Sequence, residues 1–165
     1  MKLSVIGLGK LGACTAACLA YKGFEVIGLD INNNHVAALN EGRSPVAEPG
    51  LQEIIDISRG KLKATQDYEY ALMNSSVTFL IVPTPSMEDG HFSDKYLQDS
   101  LSRLAEALRS KNSYHIFAIT STVSPGTTNG RLIPLLETLS GKRLNRDFGV
   151  CYNPEFIALG SVIRD

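Results

Sequence analysis

The sequence predicts an α/β domain, a doubly wound parallel sheet of about six strands with helices on both faces. Three observations carry that prediction. An apolar run, Lys2-Leu3-Ser4-Val5-Ile6, passes straight into Gly7-Leu8-Gly9-Lys10-Leu11-Gly12 and then into an alanine-rich stretch, Ala13 to Tyr21. Strand, glycine turn and helix in that order open a nucleotide-binding unit. Strand-like and helix-like segments then alternate along the chain, as they do in parallel sheets. The polar, turn-rich segments follow the strands, at the end where open sheets bind ligands.

Each element has its own reason. Glu25 to Leu29 is a second apolar strand, ending at Asp30. Asn33 to Leu39 reads as a helix with Val36 and Leu39 on one face, and Asn40 to Pro45 is a turn-rich loop. Glu48-Pro49-Gly50 opens a helix from Leu51 to Ser58, with Leu51, Ile54, Ile55 and Ser58 at helical spacing. Lys61 to Thr65 alternates as a strand, and Asp67 to Met73 reads as a brief helix. Val77 to Val82 is apolar on nearly every residue, as a central parallel strand should be. The prolines of Pro83-Thr84-Pro85 end it by denying further ladder bonds.

After a polar loop, Ser86 to Ser93, the leucines Leu97, Leu101, Leu104 and Leu108 mark one face of a helix from Asp94 to Arg109. Tyr114 to Ile119 is the next strand, running into Thr120-Ser121-Thr122-Val123. Ser124-Pro125-Gly126-Thr127-Thr128 supplies N-cap chemistry for a last helix, which Pro134 either kinks or begins. Asp147 to Cys151 is the final strand, and Asn153-Pro154-Glu155-Phe156 leaves the sheet.

Composition narrows the function. At 165 residues the chain is one domain with room for a real core, 44% hydrophobic and 20% charged. A formal net charge of −1 gives no electrostatic case for nucleic acid or an anionic membrane. No apolar run reaches the roughly 20 residues of a membrane helix. The first strand begins at Lys2, so no signal peptide is expected and the cytoplasm is the default. Of the 3 cysteines, Cys14 and Cys18 lie a helical turn apart and read as packing residues, and Cys151 at a strand end reads as core. His35, His91 and His115 share no ligand spacing, so no metal is expected.

The glycines divide the work of one turn. Gly7 permits the tight turn, Gly9 lets a pyrophosphate approach the backbone, and Gly12 lets the helix close on the strand. The unpaired N–H groups of the helix start, with its dipole, make an anion site. Asp30 follows at the usual distance of about 20 residues and can accept hydrogen bonds from a ribose. It would repel an additional phosphate, and no arginine stands at Ile31 or Asn32 to offset it. This Rossmann-type pattern therefore favours NAD over NADP.

Taken together, several segments resemble the UDP-glucose/GDP-mannose dehydrogenase family. They are Gly7 to Gly12, Asp30, Ser44-Pro45 with Glu48-Pro49-Gly50-Leu51, Val82 to Pro85, Ser121-Thr122-Val123 with Pro125-Gly126, and Asn153-Pro154-Glu155-Phe156. In order and spacing they span the whole chain, and they resemble only that family's N-terminal, NAD-binding domain. Other β-hydroxyacid-type dehydrogenases share the cofactor domain but lack the Asn153-to-Phe156 segment. A nucleotide-binding or regulatory module without chemistry of its own is the rival reading.

The resemblance implies an enzyme that oxidises the C6 alcohol of a UDP- or GDP-linked sugar to a carboxylate with two NAD. It implies cofactor contacts from Gly7, Gly9, Lys10, Leu11, Gly12, Asp30, His35, Val82, Pro83, Thr84, Pro85, Ser121 and Thr122. Thr122 would help hold a catalytic water, and Glu155 would be a general base or water-positioning carboxylate. The alternative for Glu155 is a helix N-terminal acid stabilised by the dipole. In the family the nucleophilic cysteine sits in a C-terminal domain beyond residues 1–165, and a long central helix, also beyond them, is where members form homodimers. Leu159 stands where many members carry glutamate. Ser124 to Thr127 and Phe148 to Val150 lean toward the GDP-mannose type.

Overall fold

A computed structural model describes residues 1–158 and 160–163; Leu159, Arg164 and Asp165 lie outside the described residues. Six strands form one sheet in the order β3-β2-β1-β4-β5-β6. They are β1 (Lys2–Ile6), β2 (Glu25–Leu29), β3 (Leu62–Thr65), β4 (Val77–Leu80), β5 (His115–Ile119) and β6 (Phe148–Tyr152). Every neighbouring pair is parallel; across the centre Val5 faces Gly28 on one side and Phe79 on the other. The order reverses between β1 and β4, and a doubly wound sheet opens its ligand crevice at that reversal.

The helices are α1 (Lys10–Tyr21), α2 (Asn33–Asn40), α3 (Leu51–Ile57), α4 (Tyr68–Met73), α5 (Lys95–Leu108) and α6 (Ile133–Ser140). On one face of the sheet Ile6, Leu80, Phe117 and Ile119 meet Leu97, Leu101, Leu104 and Leu108 of α5, with Leu136 of α6. On the other, Val5 meets Ala13, Ala16, Ala17 and Ala20 of α1, which packs on Leu51 and Ile55 of α3. The two stripes differ in kind. Leucines fill the wide gap under α5, each worth about 1.5–3 kcal/mol when fully buried, whereas alanines bring the α1 backbone close to the strands.

The predicted elements are all present, with informative differences at their ends. The helix after the glycine turn starts at Lys10, not Ala13, because the Ala13 N–H already donates to the Gly9 carbonyl at 2.9 Å. Strand β4 stops at Leu80, two residues short of the predicted Val82. There Ser121 replaces the ladder: its Oγ accepts from the Val82 N–H at 2.8 Å and donates to the Val82 carbonyl at 2.7 Å. A π-helical turn, Thr128–Leu132, precedes α6, and Pro134 lies in the first turn of α6. A proline ring clashes with the carbonyl four residues back in regular α geometry, and the widened turn relieves that clash.

Cys151 departs from expectation. It is exposed, not core, because β6 is the outermost strand and no further strand pairs with it among the described residues. Cys14 is buried and Cys18 half-buried, as a packing role requires. Burial pushes the Cys14 thiol up to about 12, which leaves no thiolate there at neutral pH.

His115 proves to be a core residue of unusual kind. It is fully buried, and its Nε2 meets Thr78 Oγ1 at 2.8 Å; Thr78 Oγ1 in turn meets Ser4 Oγ at 2.7 Å. Lys111, also buried, donates through Nζ to the Leu72 and Ser75 carbonyls. Burial, with the Lys111 charge second, lowers the His115 pKa to about 3. In the unfolded chain the imidazole takes a proton near its usual 6.5, whereas the folded protein refuses it down to about 3. Stability from this group is therefore complete above pH 6.5 and declines as pH falls from 6.5 toward 3. Denaturant titrations at pH 7.5 and 5.5 should show a loss of about 1 kcal/mol, and His115→Gln should remove most of that difference. An equal loss in the variant would disconnect it from His115.

Candidate functional site

A cavity of about 1100 Å³ opens over the carboxyl ends of β1 and β4. Its floor is the glycine turn, and the three glycines answer to different constraints. Gly7 has φ +94°, and a Cβ there would lie 2.2 Å from the Ile81 carbonyl oxygen. A Cβ on Gly12 would lie 1.8 Å from the Gly7 carbonyl oxygen. Both positions are closed by the protein's own backbone. Gly9 is different: apart from its chain neighbours no atom of the described residues lies within 4 Å of where its Cβ would be, and its φ of −65° suits any residue. The space it leaves is open to a ligand.

The helix that starts there is built for an anion. No side chain caps the N-terminus of α1, and its first turn holds no acidic residue. Its first N–H groups are thus left for an outside acceptor, which the helix dipole favours when negative. A pyrophosphate against Gly9 fits both features.

Asp30 stands at the end of β2 with its side chain only 11% exposed. Oδ2 accepts from the Leu8 N–H at 2.6 Å, and Oδ1 accepts from the Asn32 N–H at 2.8 Å. The carboxylate thus ties the glycine turn to β2 while facing the cavity. His35, on α2, brings Nδ1 to 3.4 Å from Asp30 Oδ2. Oδ1, with one partner, keeps a second lone pair, so a hydrogen bond from a ribose hydroxyl can still be accepted.

The residues to which the sequence assigns cofactor or catalytic roles line this one cavity: the glycine turn with Lys10 and Leu11, Asp30 with His35, Val82 to Pro85, Ser121 with Thr122, and Glu155. Ser121 lies at the wall, yet its hydroxyl is already bonded to both polar groups of Val82, so its visible work is to shape the loop. Glu155 is half-buried, and Oε2 accepts from the Ile157 N–H at 2.6 Å. No helix follows it among the described residues, so it is not a helix N-terminal acid. Leu159 lies outside the described residues.

The far wall was not read from the sequence. Tyr68 of α4 and Tyr96, Asp99, Ser100 and Arg103 of α5 also line the cavity. The Arg103 guanidinium lies 5.2 Å from the Tyr68 ring centre, and Lys95 holds Asp99 at 2.8 Å. Tyr96, Ser100 and Arg103 recur at helical spacing beside the leucine stripe, the only trace they leave in the sequence. Among the described residues no group of three or more His, Cys, Asp or Glu side chains could hold a metal, and no helix is long and apolar enough to cross a membrane.

Comparison with known proteins agrees along the full chain. A family model described as the NAD binding domain of the UDP-glucose/GDP-mannose dehydrogenase family matches residues 1–165. GDP-mannose 6-dehydrogenase of Pseudomonas aeruginosa is 40% identical over 100% of this chain and 38% of its own length. A UDP-glucose 6-dehydrogenase of Haloferax volcanii is 39% identical, with the same two coverages, 100% and 38%. Among solved structures, a ternary complex of GDP-mannose dehydrogenase from Pseudomonas aeruginosa superposes with TM-score 0.96 at 40% identity, over 100% of this chain and 38% of that one. UDP-glucose dehydrogenase from Pyrobaculum islandicum follows at TM-score 0.91 and 34% identity, over 99% of this chain and 38% of that one. The chain thus spans 38% of the length of these relatives.

Two binding outcomes follow from the geometry. Gly9→Val places its Cβ within 4 Å of no described atom beyond its chain neighbours, so its circular dichroism should match the parent and its thermal melt should move little, while NAD binding by calorimetry should vanish. Normal binding by that variant would place the pyrophosphate elsewhere. The unaltered chain should prefer NAD to NADP by roughly tenfold or more, since an added phosphate would face the Asp30 charge. Equal affinities would remove Asp30 from the ribose.

Proposed function

This chain belongs to the UDP-glucose/GDP-mannose dehydrogenase family, and from that premise we propose that it is the cofactor half of a nucleotide-sugar 6-dehydrogenase. Such an enzyme oxidises the C6 alcohol of a UDP- or GDP-linked sugar to a carboxylate with two NAD. The supporting observation is the convergence of the glycine turn, Asp30, Thr122 and Glu155 on one crevice, in a chain matched along its whole length. Identities of 40% to the GDP-mannose enzyme and 39% to the UDP-glucose enzyme favour neither base.

NAD, when bound, supplies the acceptor for hydride from the sugar. The chain's own residues do the rest of the work proposed for this half. Gly9 and the first turn of α1 receive the pyrophosphate, and Asp30 receives the adenosine ribose. Val82 to Pro85 form the wall beside the glycine turn, and the Ser121 clamp holds that wall in place. At the mouth, Glu155 has one oxygen fixed by the Ile157 N–H. Its other oxygen, Oε1, is the one to accept a proton from water in the hydrolytic step, with the Thr122 hydroxyl holding that water. Both residues are on the cavity wall.

The sugar needs a second wall to exclude solvent and fix C6, and such positioning can lower a barrier by about 7–11 kcal/mol. We place that wall, and the thiol that would hold the aldehyde between oxidations, in the part of the relatives this chain does not span. The chain alone should therefore bind NAD yet produce no steady NADH with UDP-glucose or GDP-mannose. A longer protein carrying it should yield two NADH per sugar. There Glu155→Gln should leave NAD affinity within about twofold and slow turnover by about 10²-fold or more. Steady turnover by residues 1–165 alone would overturn this division of labour.

A further inference from the structure

Glu48-Pro49-Gly50 does not line the crevice, yet Glu48 is a buried carboxylate, 9% exposed. Its Oε1 accepts the N–H of Val162 at 3.3 Å. We propose that Glu48 is a positioning residue: it clamps the segment that follows β6 and so fixes Glu155 at the crevice mouth. This rests on the role proposed for Glu155.

Residues 153–158 have no helix or strand to hold them. Their place is decided by anchors at either end. On the near side the Asn153 N–H donates to the Ile119 carbonyl at the tip of β5, at 2.8 Å. On the far side Val162 is 5% exposed and packs in the cluster formed by α1 and α3. Ile163 reaches the same place through Gly50, whose φ is +79°; its Cγ2 would lie 3.5 Å from a Cβ there. Ile157 also packs on that cluster, and its N–H is the one that holds Glu155.

The clamp is itself braced. The Leu51 N–H donates to the Glu48 carbonyl at 3.2 Å, which fixes the Glu48 backbone to the start of α3. Gln52 accepts from the Ser44 N–H at 2.8 Å and donates to the Gly42 carbonyl at 2.9 Å, closing the loop on α3. A rigid loop thus presents one buried acceptor to the far end of a segment without secondary structure. A fixed far anchor keeps a carboxylate in the middle of such a segment in one place; a loose one lets it wander.

The test is amide hydrogen exchange by NMR on residues 1–165, comparing Glu48→Ala with Glu48→Gln. In Glu48→Ala the Val162 and Ile157 amides should exchange about tenfold faster. The Phe117 and Ala13 amides should keep the parent's rates, and NAD affinity should stay within about twofold. Glu48→Gln keeps an acceptor oxygen and should restore slow exchange at both positions. Val162→Pro, which deletes the donated N–H and leaves Glu48 intact, should accelerate Ile157 as Glu48→Ala does. Unchanged exchange at Val162 and Ile157 in Glu48→Ala overturns the proposal, and so does acceleration that spreads to Phe117, since Glu48 would then serve the fold alone. Exchange is read without turnover, so the clamp can fail while Glu155→Gln still slows the longer protein, or stand while it does not.

Discussion

The contact on which this structure depends is between two pieces of backbone. The carbonyl of Gly7 lies where any side chain at position 12 would have to be, 1.8 Å from the Cβ that Gly12 lacks. That contact sets α1 directly on the turn that ends β1. The other side of the same turn is as tight, with Gly7 against the Ile81 carbonyl at the end of β4. Strand, turn, helix and neighbouring strand are therefore locked together without any side chain between them. The start of α1, the exit of β4 and the floor of the crevice are one rigid unit.

Several groups at the rim hold the protein together and line the crevice at once. Asp30 accepts from the glycine turn and from Asn32 while presenting its carboxylate to the cavity. Ser121 closes the broken end of β4 and so sets the wall formed by Pro83 to Pro85. Such sharing makes the site stiff, because a hydrogen bond that orders the loop also orients the group a cofactor meets. It also means that a substitution at Asp30 disturbs loop and ligand together, which is why Gly9 is the cleaner position to probe.

What the sequence revealed follows from the range of the forces involved. Local geometry is written locally: the glycine spacing, the apolar run of β4 and the leucine stripe of α5 each report a single element, and each is where it was expected. The rim residues were legible for the same reason, since they follow strand ends. The far wall was not. Tyr96, Ser100 and Arg103 sit on the polar side of an amphipathic helix, and only the packing of α5 against α4 turns that side toward a cavity. Cys151 was misread because an apolar strand looks the same at the edge of a sheet as at its centre. His115 and Lys111 were unreadable for a related reason: their burial depends on strands and loops distant in the chain.

The three glycines of one turn also carry two separate histories. Gly7 and Gly12 are held by the fold, since any larger residue would strike the chain's own backbone. Gly9 has open space at its Cβ, so the fold penalises its replacement only through a poorer helix N-cap and not through a clash. Selection for folding alone is mild at position 9 and severe at positions 7 and 12. A descendant that gave up its cofactor but kept its shape would therefore drift first at Gly9, and the order in which the motif decays would date the loss of binding against the loss of structure.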